Sequence, residues 1–183
     1  MPKIRLKRLP MTREEVEDMI SRADNERDRA LIAMLYITGA RISEVLRLKR
    51  KDIEIGEKEV RITITPLKIR SKGPLIFVHT LPIPLTAPFV EHIVSYVSKI
   101  QDGEEFLFCG YKKPMTRVRA WQIIKKLNQD TFPHFFRHTR ASKLAEAGAD
   151  VLEIKEWLGR KTLPLEYISV SRRRIAALAR RLT

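Results

Sequence analysis

Four side chains in this sequence are of the types that can break a phosphodiester bond without a metal ion. Arg41 lies in the first part of the chain, His134 and Arg137 follow three residues apart, and Tyr167 comes after both. In such a reaction the tyrosine oxygen attacks phosphorus, and cationic side chains stabilise the charge of the transition state. These residue types therefore predict a phosphoryl-transfer site with a tyrosine nucleophile.

The two arginines are predicted to bind the phosphate. A guanidinium presents planar pairs of donors that match phosphate oxygens, so we assign Arg41 and Arg137 to the two non-bridging oxygens. The alternative is an ordinary surface arginine. His134 faces the same site as Arg137 if both lie on one helix, and it could exchange a proton with the tyrosine; a buried structural histidine is the alternative. Glu44 is expected to orient a catalytic arginine or, equally, to form an exposed ion pair with Arg47.

Tyr167 is the predicted nucleophile among four tyrosines. A free phenol has a pKa of about 10, so it needs nearby cations or a base to react at neutral pH. Tyr36 lies in an apolar helical pattern that predicts the core, and Tyr96 and Tyr111 have no comparable surroundings. The attack would leave a covalent phosphotyrosine that stores the bond energy. Neither a nucleotide cofactor nor a metal ion is therefore expected.

The charge balance predicts a polyanionic partner. The 183 residues include 36 basic and 22 acidic side chains, a formal net charge of +14. Nucleic acid is the leading interpretation, because neutralised phosphates release counterions. No apolar run approaches the roughly 18 residues of a membrane span, and no membrane-surface helix is evident. The single cysteine excludes a disulfide within these residues and favours a reducing, cytoplasmic location.

The amino-terminal half is predicted to contain three helices and a small sheet. Residues 1–11 form a basic arm, and Thr12 begins a helix with a capping box completed by Glu15. A second helix is expected over residues 26–37, ended by Gly39, and a third begins near Arg41. Residues 60–65 alternate with period two and predict a strand, and a second apolar run, 75–79, could pair with it. Three prolines are expected to end the sheet region: Pro82, Pro84 and Pro88.

Helical periodicity returns after the sheet. The segments concerned are residues 89–100, 118–127, 134–147, 151–158 and 172–182. The sequence thus predicts a mainly α structure with one small antiparallel sheet, an α+β fold, in a single catalytic domain over residues 12–183 with no separate amino-terminal domain. Abundant Lys, Arg and Glu with few Asn and Gln are typical of heat-adapted proteins.

Three stretches resemble the sequence boxes of the tyrosine recombinase (phage integrase) family. Residues 38–52 resemble the first arginine box, residues 134–148 the His-x-x-Arg box, and residues 158–170 the tyrosine box. Each box alone would be weak, but their order and spacing together are specific. The resemblance implies the integrase catalytic-domain fold and site-specific recombination of double-stranded DNA, with metal-independent strand cleavage and rejoining through a 3′-phosphotyrosine on Tyr167.

The resemblance also implies a lysine and a further hydrogen-bond donor. The family's catalytic lysine lies in a β-hairpin turn and protonates the departing 5′ oxygen. Lys68 and Lys72 both fit such a turn, and spacing favours Lys68. Arg160 occupies a position where the family usually has histidine or tryptophan, and the interval to Tyr167 is shorter than usual. Arginine can donate to a phosphate oxygen but cannot act as an acid or base at neutral pH.

Partners and a second interpretation follow from the same resemblance. Dimers or tetramers on DNA are expected, and the terminal helix, residues 172–182, could dock on a neighbouring protomer. Several basic side chains could grip the DNA backbone: Lys112, Lys113, Arg117, Arg119, Lys125 and Lys126. The alternative function is a catalytically weak or silent DNA-binding protein of the same fold, or one with only topoisomerase-like relaxation. Arg160 favours this alternative, whereas the combination of Arg41, His134, Arg137 and Tyr167 favours the enzyme.

Overall fold

The computed structural model describes residues 9–66, 78–100, 106–109 and 113–159. Among these residues it contains seven α-helices, a short 3₁₀ helix and three strands. The helices are α1 (Arg13–Ser21), α2 (Glu26–Thr38), α3 (Ile42–Val45), α4 (Val90–Val97), α5 (Arg117–Leu127), α6 (Pro133–Glu146) and α7 (Val151–Trp157), and the 3₁₀ helix is Arg50–Asp52. The strands are β1 (Ile53–Ile55), β2 (Glu59–Ile64) and β3 (His79–Pro84). The predicted mainly α fold with a small antiparallel sheet is confirmed.

Several sequence-based predictions concern residues outside the described ranges. These are residues 1–8 of the amino-terminal arm, the lysines Lys68 and Lys72, the carboxyl-terminal residues Arg160 and Tyr167, and the helix over residues 172–182. The described residues still include three of the six predicted catalytic side chains: Arg41, His134 and Arg137. The structure therefore addresses the arginine and histidine boxes directly.

Helix α2 is the centre of the fold. Ten of its 13 residues are buried, because apolar side chains occupy nearly its whole circumference, and it packs against α1, α4 and α6. The predicted capping box of Thr12 and Glu15 starts α1. Gly39 ends α2 as predicted, with φ +63 and its N–H donating to the Leu35 carbonyl at 3.0 Å. This buried helix fixes the position at which the chain turns towards Arg41.

The sheet has the order β1-β2-β3, and both strand pairs are antiparallel. Ile62 in the central strand pairs with Ile53 on one side and Leu81 on the other. All three side chains are buried. The sheet therefore contributes one apolar face to the core. The predicted strand over residues 60–65 is confirmed with a shift of one residue, whereas the short strand β1 had no sequence signal.

The predicted end of the sheet was wrong, whereas residues 75–77 of the predicted partner run lie outside the described residues. The strand that pairs with β2 begins at His79, at the end of the predicted run 75–79, and extends through Pro82 and Pro84, which had been expected to end the sheet. In β3 the prolines are exposed while Leu81 and Ile83 are buried. Because β3 lies at the edge of the described sheet, alternate N–H positions of this strand point away from β2, and proline, which has no N–H, is tolerated there. The alternation of buried and exposed residues therefore continues through both prolines.

Helix α6 packs against α2, and α7 packs against α6. Pro133 occupies the first turn of α6, a position where the missing N–H costs nothing. Asp150 and Glu153 form a capping box at the start of α7. A small second cluster, of which Ala141, Ile154 and Leu158 are the buried members, holds α7 against α6. None of the helices in the described ranges has both the length and the apolar character needed to cross a membrane.

Candidate active site

Arg41 is held by a buried carboxylate. It lies at the N-cap of α3, and its side chain is 37% exposed. Its Nη1 donates to Glu44 Oε1 at 2.8 Å, and its backbone N–H donates to Glu44 Oε2 at 2.9 Å. The Glu44 side chain is only 4% exposed, so burial of its charge requires these partners. The carboxylate therefore contacts Arg41, in agreement with the orienting arrangement, and the alternative exposed pair with Arg47 is not formed.

Arg137 joins two distant parts of the chain. It is 1% exposed, and its Nη1 donates to the Gly39 carbonyl at 3.0 Å while its Nη2 donates to the Leu158 carbonyl at 2.6 Å. Gly39 stands two residues before Arg41, and Leu158 stands in the turn after α7. A planar guanidinium can reach two such acceptors, whereas a lysine ammonium on its flexible stem would not span them in the same way. Arg137 thus links the turn after α7 to the loop that carries Arg41.

His134 lies in the first turn of α6, one turn before Arg137. The prediction that both residues belong to one helix is confirmed. His134 is exposed while the adjacent Phe135 and Phe136 are buried, so the alternative of a buried structural histidine does not hold. Its ring meets His138 edge to face, with 4.7 Å between the ring centroids. An exposed imidazole at the positive end of a helix is well placed to meet an anion.

His79 had no motif in the sequence, yet it lies beside these residues. Its Nε2 is 3.0 Å from the carbonyl oxygen of Trp157. Burial lowers the pKa of His79, and the charges of Glu44 and Arg137 are close enough to affect it in opposite directions. The first residue of β3 therefore belongs to the same neighbourhood as the two arginine boxes. Only a long-range contact reveals this, because the surrounding sequence predicts no more than a strand.

Trp157 connects the end of α7 to the end of α2. Its indole N–H donates to the Thr38 carbonyl at 3.1 Å, while its own carbonyl is held by His79. The Arg140 guanidinium lies over the indole ring, 4.6 Å from the ring centroid, a distance that suits a cation–π contact. Burial lowers the pKa of Arg140 to about 10, so the side chain remains cationic at neutral pH. A third arginine, not predicted from the sequence, thus belongs to this junction: its guanidinium covers Trp157, and its Cβ would lie 2.8 Å from a Cβ atom placed on Gly39.

The predicted DNA-gripping lysines and arginines on α5 are partly engaged within the protein. Lys126 forms an ion pair with Asp24 at 2.6 Å and lowers the pKa of that carboxyl group. The Lys125 ammonium lies 5.7 Å from the centroid of the Trp121 ring. Arg117 and Arg119 lie exposed in the first turn of the same helix. The helix therefore presents a basic surface, on which Asp24 neutralises the charge of Lys126.

The boxes and the fold agree with one known family. A family model described as the phage integrase family matches residues 10–164. The chain belongs to the phage integrase family. The segment of this chain that the family model matches includes Arg41, His134, Arg137 and Arg160, whereas Tyr167 lies just beyond it.

Relatives of this phage integrase family member are named tyrosine recombinases. It is 32% identical over 167 residues to tyrosine recombinase XerA of Pyrococcus horikoshii, covering 86% of this chain and 55% of the relative. Identity to XerA of Pyrococcus furiosus is 34% over 168 residues, with the same two coverages. Tyrosine recombinase XerD of Corynebacterium glutamicum is 33% identical over 150 residues, 78% of this chain and 47% of that protein. The chain spans about half the length of these relatives.

Solved structures share the fold. The integrase of transposon Tn1549, in complex with transposon right end DNA, superposes with a TM-score of 0.67 at 22% identity, covering 98% of this chain and 69% of that one. The crystal structure of XerA recombinase gives a TM-score of 0.65 at 20% identity, covering 88% and 58%. XerH recombinase bound to a palindromic difH substrate gives 0.68 at 22%, covering 94% and 53%. The integrase-like fold implied by the resemblance is confirmed.

Proposed function

We propose that this chain is the catalytic domain of a site-specific DNA recombinase that cuts and rejoins strands through a covalent 3′-phosphotyrosine on Tyr167. The observation that carries the proposal is the pair of hydrogen bonds from Arg137 to Gly39 and Leu158. These bonds bring the His-x-x-Arg box against the loop of Arg41 and against the turn that leads to the tyrosine box. Membership of the phage integrase family and the named recombinase relatives support the same reaction.

In this mechanism the arginines stabilise charge on the phosphate. Arg41 and Arg137 bind the two non-bridging oxygens, and the negative charge that grows there in the transition state strengthens those contacts. Glu44 keeps the Arg41 guanidinium aligned before the substrate arrives, which reduces the cost of ordering that side chain. Arg160 donates a further hydrogen bond to the phosphate in place of the family's usual histidine or tryptophan.

Cleavage replaces one bond to phosphorus with another. The Tyr167 oxygen forms a bond to phosphorus as the bond from phosphorus to the 5′ oxygen breaks. His134 accepts the proton that leaves the phenol, and Lys68, with Lys72 as the alternative, supplies a proton to the 5′ oxygen. The 5′ hydroxyl of a partner strand then attacks the phosphotyrosine, which reverses the same steps and releases Tyr167. No external energy source is needed, because the phosphodiester bond is exchanged and not hydrolysed.

The proposed partners are double-stranded DNA and further copies of the chain. A net charge of +14 suits a polyanion. Solved neighbours with the same fold include a transposon integrase in complex with DNA and a recombinase bound to its difH substrate. Two or four protomers would act on two recombination sites, and residues 172–182 are the proposed element that docks on a neighbour. We assign residues 12–183 to the catalytic domain.

Trapping the covalent intermediate tests this function. The protein is incubated with a duplex that carries a nick next to the scissile phosphate, so that a short 5′-hydroxyl fragment diffuses away after cleavage. Denaturing electrophoresis should show a protein–DNA adduct with the wild type and none with Tyr167→Phe. An adduct that persists in Tyr167→Phe contradicts the assignment of the nucleophile. Salt-sensitive DNA binding without any adduct would instead support the alternative function, a catalytically silent DNA-binding protein, which the presence of Arg160 favours.

A further inference from the structure

The last carbonyls of α7 are held by side chains from elsewhere in the chain. The final carbonyl groups of a helix have no intrahelical donor and need other partners. Trp157 and Leu158 end this helix, and their carbonyls face His79 Nε2 at 3.0 Å and Arg137 Nη2 at 2.6 Å. Two consecutive carbonyls of one turn therefore contact a strand residue and the predicted catalytic arginine.

The His79 ring also packs closely on the residue that follows. A Cβ atom placed on Gly159 would lie 3.2 Å from His79 Cε1 and 3.3 Å from its Nδ1. Gly159 has φ +57, a conformation that favours glycine. The imidazole thus covers the turn and at the same time donates a hydrogen bond into it. With its pKa lowered by burial, the ring is neutral at pH 7, and the bond to a carbonyl oxygen requires the proton on Nε2.

We propose that His79 is a positioning residue for strand cleavage: by donating to the Trp157 carbonyl, it holds the adjacent Leu158 carbonyl in place for Arg137. This inference rests on the proposed function. His79 opens β3 two positions after residues 67–77, which contain the two candidate lysines, and Gly159 directly precedes Arg160. His79 therefore follows the candidate lysines in the sequence and contacts the turn that precedes Arg160 and Tyr167.

The expected effect is on rate more than on binding. A displacement of about 1 Å in a supporting residue can lower a reaction rate by about 100-fold, because the catalytic groups then no longer meet the transition state in the right geometry. DNA affinity depends mainly on many phosphate contacts, to which the half-buried His79 adds little. A positioning role thus predicts slow cleavage with nearly normal DNA affinity.

Two substitutions separate the hydrogen bond from the packing. His79→Gln places an amide N–H near the position of Nε2, whereas His79→Leu fills similar space without a donor. Cleavage of the nicked duplex is measured in single turnovers at saturating protein, with DNA affinity and melting temperature measured separately. We expect His79→Leu to lower the cleavage rate constant by about 10- to 100-fold with little change in affinity, and His79→Gln to recover most of the rate. Wild-type cleavage by a folded His79→Leu protein, or an equally slow His79→Gln protein, overturns the inference.

A second readout does not depend on catalysis. The Gly159 amide donates to the Glu156 carbonyl at 2.9 Å, and the Trp157 indole N–H donates to Thr38, so their hydrogen exchange reports on the turn. Exchange of both groups should be faster in His79→Leu and unchanged in His79→Gln. Unchanged exchange in His79→Leu would show that His79 does not hold the turn. A wild-type protein that forms no adduct overturns the proposed function instead, and the exchange rates still decide the role of His79 in the turn.

Discussion

Arg137 donates to the carbonyl of Gly39 at 3.0 Å across 98 positions of sequence. This contact fixes the distance between the helix that carries the His-x-x-Arg box and the loop that carries Arg41. It is possible because Gly39 turns the chain with a positive φ at the end of a buried helix. A glycine whose local role is to end a helix therefore also presents the acceptor for Arg137, the proposed phosphate-binding arginine.

Gly39→Ala should damage both stability and cleavage. An alanine at φ +63 is strained, and its Cβ would lie 2.8 Å from Arg140 Cβ and 3.0 Å from Leu158 Cδ2. We expect a loss in the free energy of unfolding on the order of 2 kcal/mol or more, measured by urea denaturation. Cleavage should fall further than stability explains, because the acceptor of Arg137 moves.

Gly56→Ala is the matched control for this change. At Gly56 the backbone lies outside the left-handed region, and an added Cβ would come 3.2 Å from the Glu59 carbonyl oxygen. The expected loss of stability is smaller, and cleavage per folded molecule should be unaffected. Equal effects of the two substitutions would contradict the role assigned to Gly39.

Glu44→Gln should release Arg41 while leaving the fold in place. Both carboxylate oxygens accept from Arg41, and a glutamine amide offers one acceptor and one donor in their place. Loss of a charged hydrogen bond at this buried site should lower the free energy of unfolding by about 1–3 kcal/mol. Single-turnover cleavage at saturating protein should slow, because Arg41 is no longer aligned with the phosphate. Glu59→Gln, which breaks the exposed 2.8 Å pair with Arg61, should leave both measurements nearly unchanged.

Stability should fall on mild acidification through His79. Burial lowers the pKa of this side chain below its ordinary value of 6.5. The hydrogen bond to Trp157 and the carboxylates of Glu44 and Glu156 act to raise the pKa, and Arg137 acts to lower it. Below pH 6.5 the unfolded state takes up a proton that the folded state resists, so the free energy of unfolding decreases until the folded-state pKa is passed.

Denaturation midpoints at about pH 7.5 and about pH 5.5 test this dependence. The wild type should lose more stability between these two values than His79→Gln, which keeps the donor but cannot titrate. The other three histidines are common to both proteins, so the difference isolates His79. An equal loss in the two proteins, or a smaller loss in the wild type than in His79→Gln, would reject the explanation.

Local signals in the sequence were sufficient for most of the helices. The capping box at Thr12, the glycine at the end of α2 and the i, i+3 spacing of His134 and Arg137 each depend on neighbouring residues, and the structure confirms all three. The prediction that Pro82 and Pro84 end the sheet was wrong, because proline is excluded from the middle of a sheet but tolerated in an edge strand, the position of β3 among the described strands. Local preference cannot reveal which side of a strand is paired.

The contacts around the site are of a kind that sequence patterns do not encode. Arg137, His79 and Trp157 each donate to a backbone carbonyl, and every residue type offers the same carbonyl. No residue type at Thr38, Gly39 or Leu158 could therefore mark them as acceptors. The resemblance to a family predicted the arginines and the histidine of the site, whereas the contacts that suggest a positioning role for His79 needed coordinates.

Pro82 and Pro84 have one more consequence, for how copies of the protein can meet. Neither residue has an N–H, and no described strand lies beyond β3, so the outer border of the sheet offers few donors to an incoming chain. Strand-by-strand growth into aggregates is disfavoured there. The proposed assembly of several copies on DNA would therefore have to use other surfaces than this edge of the sheet.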